Sequence, residues 1–501
     1  MKKRTVILPA VFAALSVLIS LVFCGFRFGF VFVDHYVFDG FCYLLWALFI
    51  INSCFMFAHL RSALTRGKLC GKALFIINSI VTVLSVTASA AFLIIGKNDI
   101  KNYVYMSFEW LPTLAVVYGL VFFIAIFPLC KELFKKCTAV VAAIACVTAA
   151  LVHIFPVGGF DFESAPAVFD TGDSYHIVFA TNRDSVGYIS YSYGGKDYLV
   201  WDTTTGRKDS STVHSIEVAY EHLDNNTYTV GAVRAVEDIA YGGHLGKEIT
   251  YKVDKFSPCP NDDFNMVIVT DNHDSQVNWG DIGGNAQLCV FLGDISNGLY
   301  SYDNFVDNLI VPAGEATGGA IPAVYVRGNH DHRGSAVKDM LKELDFDEYY
   351  YRVRIGKYVF TVLDTGEDKD DDNYEYAGYN DYVSYFAEQT EWAQSLEKES
   401  GYNVVIAHSH EPFHGAAEPI SDILKNLGIG FSISGHEHTE EFVSAQDSRN
   451  GIPYYICGHY INKSDLYYTV MHFSDGKIDI ATQNTAGEIV NSAEIQLEEV
   501  K

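Results

Sequence analysis

Five apolar stretches in the first 158 residues limit what this chain can fold into more than any other feature. They run from Val6 to Phe23, Phe41 to His59, Ala73 to Ile95, Leu111 to Leu129 and Thr138 to Phe155. Each is long enough to cross about 30 Å of hydrocarbon at ~1.5 Å per residue. Five such stretches in succession, separated by short basic loops, do not fit around one soluble core, so residues 1–158 are read as an N-terminal α-helical transmembrane bundle of five spans. Lys2, Lys3 and Arg4 precede the first stretch as in a signal peptide, but no small-residue cleavage site follows, and it stays as span one.

The loops give an orientation, because short segments rich in Lys and Arg stay in the cytoplasm. Lys2, Lys3 and Arg4 precede span one, Arg61, Arg66, Lys68 and Lys72 lie between spans two and three, and Lys131, Lys135 and Lys136 between four and five. The alternate loops carry only Arg27, and Lys97 with Lys101. The N-terminus is therefore expected in the cytoplasm and everything after Phe155 outside the cell membrane, with lipid as the partner of the spans. Tyr103, Tyr105, Glu109 and Trp110 fall at the outer end of span four, where an aromatic belt is expected, and His153 near the end of span five reads the same way.

Charge divides at the same place. Of the 35 basic and 61 acidic residues, 13 and 5 precede residue 159, which leaves 22 against 56, a formal −34, on the remainder. So acidic an outer part repels long polyanions, so no nucleic acid polymer is expected as a partner; small substrates or bound cations fit better. Seven of the ten cysteines lie in the apolar part, and Cys259, Cys289 and Cys457 are scattered, so there is no disulfide framework and no thiolate metal spacing. Oligomeric state is not legible.

From Asp161 to Val253 the pattern changes to short alternating runs separated by turns: His176 to Thr181, Val186 to Tyr191, Tyr198 to Trp201, Val213 to Ala219, Tyr228 to Val233 and Ile249 to Val253. Six or so short strands predict an antiparallel β-sandwich over residues 159–258, serving as a spacer or as a cover for a neighbouring site.

After Ser257-Pro258-Cys259-Pro260, residues 262–501 alternate strands with helical stretches. Met266 to Thr270 ends in Asp271-Asn272-His273, Leu288 to Leu292 in Gly293-Asp294, and Ala323 to Arg327 in Gly328-Asn329-His330-Asp331. Val404 to Ala407 ends in His408-Ser409-His410, and Phe431 to Ser434 in Gly435-His436-Glu437-His438. Ligands of α/β sheets gather at carboxyl strand ends, so five strands finishing on carboxylate, amide or imidazole bring those groups together. Two divalent cations about 3.5–4 Å apart need a bridging carboxylate with N and O ligands on each side; Asp294 on its Gly-Asp turn suits the bridge.

This ordered series, Asp-x-His, Gly-Asp, Gly-Asn-His-Asp, a later His and Gly-His-x-His, resembles the calcineurin-like metallophosphoesterases over Asn265 to Lys501. The resemblance implies an α/β fold of two sheets with outer helices (αββα) and hydrolysis of phosphate mono- or diesters on a small phosphorylated substrate by a metal-held hydroxide. It also implies two divalent ions, Mn, Fe or Zn. Asp271, His273 and His438 would hold the first, and Asn329, His436 and the later His the second, with Asp294 between. For the later His, His408 ends its strand as a ligand should, while His410 has the proline two residues on, at Pro412; both stay open.

His330 would contact the phosphate and assist the leaving group, and Asp331 either orients His330 or caps a helix. Arg333 either holds a phosphate oxygen or ends a helix at the surface. Three residues beyond Asp294, where purple acid phosphatases carry a tyrosine ligand, stands Asn297, which argues against a purple iron centre. The run Ile216 to Tyr228 weakly resembles the fibronectin-type module that precedes the catalytic domain of those enzymes.

Asp364 to Asn373 is the most charged run of the chain; it reads as a solvated loop, or as a selector of cationic substrates or an extra ion site. The whole reads as an outward-facing, membrane-anchored hydrolase of a bacterial cell. A receptor or scaffold that binds a phosphorylated ligand without turnover is the alternative, and a transport path through the spans the third reading.

Overall fold

Three long helices cover the first three apolar stretches: α1 (Arg4–Phe26), α2 (His35–Arg66) and α3 (Lys72–Ile95). The computed structural model describes residues 4–26, 35–95, 118, 159–237, 244–275, 277–282, 284–367, 369–373, 376, 378–409, 418–458, 460–462 and 465–501. The fourth stretch apart from Tyr118, the fifth, and His410 lie outside the described residues. The chain divides into two compact units, Met1–Gly158 and Gly159–Lys501.

The three helices carry apolar side chains on their exposed faces and bury a mixture of apolar and polar ones, with Ala13, Met56 and Phe75 in a small core. Ile7, Leu8, Ile51, Ile76, Ile80 and Leu84 are exposed, while Ser16, Asn52 and Thr82 are buried and bonded across α1, α2 and α3. Asn52 Nδ2 donates to Thr82 Oγ1 (2.9 Å), and the Ser16 and Thr82 hydroxyls lie 3.2 Å apart. Among the described residues, one stretch, Leu48–Arg66, is long and apolar enough by itself to cross a membrane.

The second unit begins with antiparallel strands β1 (Ala167–Asp170), β2 (Tyr175–Tyr193), β3 (Lys196–Trp201), β4 (Ser210–Val218), β5 (Tyr228–Glu237) and β6 (His244–Val253). β2 absorbs two of the expected runs. Its first half pairs with β1 and β4 and its second half with β3 and β5, around a core that includes Phe179, Ile189, Val230 and Phe256. The middle segment is thus β-rich, and its strands continue the sheet of the C-terminal region. All four residues of β1 are buried, so this strand needs a neighbour on each side, and it finds the second in the C-terminal region, where Phe169 pairs in parallel with Ala323.

Besides the short strand Tyr460–Asn462, the C-terminal strands are β7 (Asp263–Val269), β8 (Leu288–Leu292), β9 (Ala323–Val326), β10 (Tyr351–Ile355), β11 (Tyr358–Leu363), β12 (Tyr402–Ala407), β13 (Ile429–Ser434), β14 (Glu441–Val443), β15 (Tyr454–Ile456), β16 (Asp465–Ser474), β17 (Lys477–Asn484) and β18 (Ile489–Gln496). One sheet has the order β18-β17-β16-β7-β8-β9-β1-β2-β5-β6, and a second the order β10-β11-β12-β13-β15-β14. Strands β7, β8 and β9 are mutually parallel, as are β11, β12, β13 and β15. Their near-continuous apolar runs follow from burial on both faces.

Alternate side chains of the two sheets meet in one core. Met266, Ile268, Val290 and Val324 face Phe360, Val404, Ile406 and Phe431. The outer face of the first sheet, with Val267, Phe291 and Tyr325, is covered by helices α4 (Val311–Thr317) and α5 (Val337–Leu344) through Ala313, Met340 and Leu344. The outer face of the second, with Val405 and Ala407, is covered by α6 (Tyr382–Ser395) and α7 (Glu418–Asn426) through Ala393, Ile420 and Leu424. The layers are therefore helix, sheet, sheet, helix, with the five strands that end on candidate ligands split three to two between the sheets.

Candidate metal centre

At three of the five strand ends that carry candidate ligands, those of β7, β8 and β13, the backbone turns into the left-handed region. Asp271, His273, Asp294, His436 and His438 all have positive φ, between 43° and 72°. L-residues resist this left-handed region, so such clustering marks a functional loop set. The glycines beside them are required by close approach. A Cβ on Gly293, itself at φ 74°, would stand 2.4 Å from His408 Nδ1, and one on Gly328 would stand 2.2 Å from the Asp294 nitrogen.

Asp271 is fully buried. Its Oδ2 accepts from Thr270 Oγ1 (2.7 Å) and from the His436 backbone N–H (2.9 Å), which ties β7 to the loop after β13. Its Oδ1 has no hydrogen-bond donor and faces His438 Nε2 at 3.3 Å and His408 Nε2 at 3.8 Å. Asp294 accepts the His330 backbone N–H on Oδ1 (2.8 Å), and its Oδ2 stands 3.4 Å from His408 Nε2 and 3.7 Å from His273 Nε2. His408 Nδ1 donates to the Leu292 carbonyl (2.7 Å), and its buried Nε2, turned toward Asp294 and Asp271, has no hydrogen-bond partner.

Asn329 joins this group through its amide, 3.0 and 3.1 Å from the two Asp294 oxygens, 3.3 Å from His436 Nδ1 and 3.2 Å from Arg333 Nη2. With nitrogen toward Asp294 every contact is a hydrogen bond. With oxygen toward Asp294 the amide joins a carboxylate and an imidazole around one point, which only a cation holds together.

Potential ligand atoms lie within 4.8 Å of one another in three overlapping sets: Asp271, His273 and His438; Asp294, His408 and His436; His273, Asp294 and His330. Orphaned Asp271 Oδ1 and His408 Nε2, in an all N and O donor set, fit a divalent transition metal. Burial alone would raise the Asp294 pKa, but His408, His330 and His273 hold it far below the carboxylate range. Burial pushes His408 down, yet Asp294 and Asp271 carry it up to about 10. The pocket is thus built to hold positive charge.

Two expected roles change. Asp331 does not orient His330. The turn His330–His332 directs the buried Asp331 carboxylate back to the Gly328 N–H (3.0 Å) and the Tyr325 hydroxyl (3.2 Å), where it fastens the loop around Asn329. His330 instead directs Nδ1 to the Asn297 carbonyl (3.3 Å). The acidic run is also partly structural, since Asp371 accepts the Tyr382 and Val383 N–H groups at the start of α6 (2.8 and 3.2 Å). Arg333 is half-buried beside the Asn329 amide.

Sequence reasoning missed Asp364, which ends β11 as Asp294 ends β8. Its Oδ2 accepts Arg327 Nε (2.9 Å) and the Tyr385 hydroxyl (2.8 Å), and its Oδ1 faces His332 Nε2 (3.0 Å). An apolar run closing on a carboxylate was the available signal. Burial and the Arg327 cation together lower the His332 pKa to about 4, so this imidazole is neutral.

No curated protein matches the chain. Among solved structures, similarity extends to a predicted phosphoesterase from Streptococcus pneumoniae (10% identity, 47% of this chain and 98% of that one, TM-score 0.24). It extends also to a Vps29 variant from Entamoeba histolytica (11%, 47% and 99%, 0.25) and to a cold-active protein-tyrosine phosphatase of a Shewanella species (10%, 68% and 100%, 0.25). The family model for calcineurin-like phosphoesterases matches residues 264–440, the span that contains every ligand-bearing strand end. Residues 264–440 are therefore a calcineurin-like phosphoesterase domain, a metal-dependent hydrolase of phosphoric esters.

Proposed function

We propose that the protein is a membrane-anchored, outward-facing phosphoesterase that works with two divalent metal ions on small phosphate mono- or diesters. The observation that carries this reading is the Asp294 carboxylate standing between His408 and His273, at 3.4 and 3.7 Å, with a separate ligand set on each side. Asp271, His273 and His438 would hold one ion, Asn329, His408 and His436 the other, and Asp294 would bridge. Bound ions of this kind activate water and neutralise the equatorial oxygens of phosphorus.

The chain's own residues do the rest. His330, with Nδ1 committed to Asn297, keeps Nε2 for the phosphate or the departing oxygen. Arg333 offers its guanidinium to a phosphate oxygen. The apolar exposed faces of the first three helices support a lipid surrounding, and the basic loops support a cytoplasmic N-terminus.

Full-length protein in detergent, stripped of metal and refilled with Mn²⁺, Zn²⁺ or Fe²⁺, is expected to hydrolyse p-nitrophenyl phosphate or bis-p-nitrophenyl phosphate. A folded, metal-loaded protein inert on both would transfer the reading to a ligand-binding receptor. Protease digestion of intact cells is expected to remove the region after residue 158, and protection of that region would reverse the orientation.

A further inference from the structure

Asp274 follows the ligand loop of β7 yet belongs to none of the metal-ligand sets. Its backbone is left-handed (φ 62°), which brings the carboxylate against the loop after β8. There Oδ1 accepts Ser296 Oγ (2.7 Å) and Asn308 Nδ2 (3.0 Å), and Oδ2 accepts Asn297 Nδ2 (2.6 Å). Asn308 is buried in a single π-helical segment, Val306–Ile310, a local irregularity that often serves a site. Asn297, so fixed, presents its carbonyl to His330 Nδ1 at 3.3 Å. The His273 ring stands edge-on to His330, 4.7 Å between centroids.

We infer that Asp274 is a positioning residue for His330, acting through Asn297 and anchored by Asn308. The inference rests on the phosphoesterase reading above. In that reaction a water oxygen forms the new P–O bond and its proton passes to solvent. The P–O bond to the leaving group breaks with its electron pair, and the departing oxygen takes the proton from His330 Nε2. A correctly aimed donor matters little when the leaving oxygen is a weak base and a great deal when it is a strong one. Asp274 belongs to none of the ligand sets, and the Asn297 amide that it holds also donates to the His273 carbonyl (3.3 Å), so metal content is read beside the kinetics to separate the aim of His330 from the placing of His273.

The test is steady-state kinetics of the full chain in detergent with p-nitrophenyl phosphate and with phenyl phosphate, whose leaving oxygen is more basic, alongside metal content. Asp274→Ala and Asn308→Ala are compared with His330→Ala and the double variant Asp274→Ala/His330→Ala. The expected result is unchanged metal content, KM within about twofold, and a kcat loss about tenfold greater for phenyl phosphate. His330→Ala should give the same bias, and adding Asp274→Ala to it should cost nothing more. Equal losses on both substrates, loss of metal from both single variants, or additive losses in the double variant overturn the inference while the phosphoesterase reading stands. With a wild type that turns over only diesters, the same comparison is made with bis-p-nitrophenyl phosphate and diphenyl phosphate; a metal-loaded wild type inert on all four overturns the two together.

Discussion

Arg327 and Asp364 form a buried ion pair, Nε to Oδ2 2.9 Å, that joins the end of β9 to the end of β11. The guanidinium also lies over the Tyr349 ring, 4.0 Å from its centroid. Removing the carboxylate leaves a buried cation without its partner, so Asp364→Ala is expected to cost about 3–5 kcal/mol in a denaturant titration. Asp364→Asn, which retains an acceptor, should cost less. Equal stability of wild type and Asp364→Ala would mean that the pair contributes nothing.

Chelation should abolish turnover and lower the melting temperature, since a ligand bound only to the folded state at about 100 times its dissociation constant stabilises by ~2.7 kcal/mol. Readdition of a divalent ion should restore both. Scanning calorimetry with and without chelator checks this, and a melting temperature indifferent to metal would refute it.

Asn329→Ala and His330→Ala should separate binding from chemistry. Asn329→Ala is expected to lower metal content, because its amide contacts Asp294 and His436. His330→Ala is expected to keep its metal and lose roughly 10²–10⁴-fold in kcat. Elemental analysis beside kinetics distinguishes them; metal loss in His330→Ala would make it a ligand instead.

Asp170 gives a pH prediction away from the metal centre. Burial raises its pKa to about 6, against donation from the Tyr220 hydroxyl (2.6 Å) and the Gly172 N–H (2.9 Å). Between about pH 4 and 6 the folded chain keeps a proton that the unfolded chain releases, so this group makes stability fall as pH rises. Above about pH 6 the loss is complete. Asp170→Asn should therefore stabilise by on the order of 3 kcal/mol at about pH 8 and hardly at all below pH ~4. Chemical denaturation at the two pH values measures the difference, and an equal effect at both would contradict the assignment.

The five ligand-bearing strand ends were legible because each is an apolar run halted by Gly, Asp, Asn or His, a pattern that depends only on neighbours in sequence. Pairing across distance was not. Nothing local foretells that Phe169 pairs with Ala323, or that Arg327 finds Asp364, so the middle strands looked like a module of their own. Asp274, Asn297 and Asn308 resemble ordinary turn or helix-surface residues, and their roles come from a left-handed turn and a π-helical segment that composition does not encode. The place of Asp331 was not legible for a related reason: adjacency to His330 left a partnership and a helix cap both open, and a tight turn sends its carboxylate to the Gly328 N–H instead.

The left-handed backbone at Asp271, His273, Asp294, His436 and His438 sets selection for fold against selection for metal. Each such residue costs about 1–2 kcal/mol that glycine would not. Glycine at any of the five would relieve that strain and remove a donor atom with it, so at these positions stability and the holding of a cation pull in opposite directions, and the backbone carries the cost.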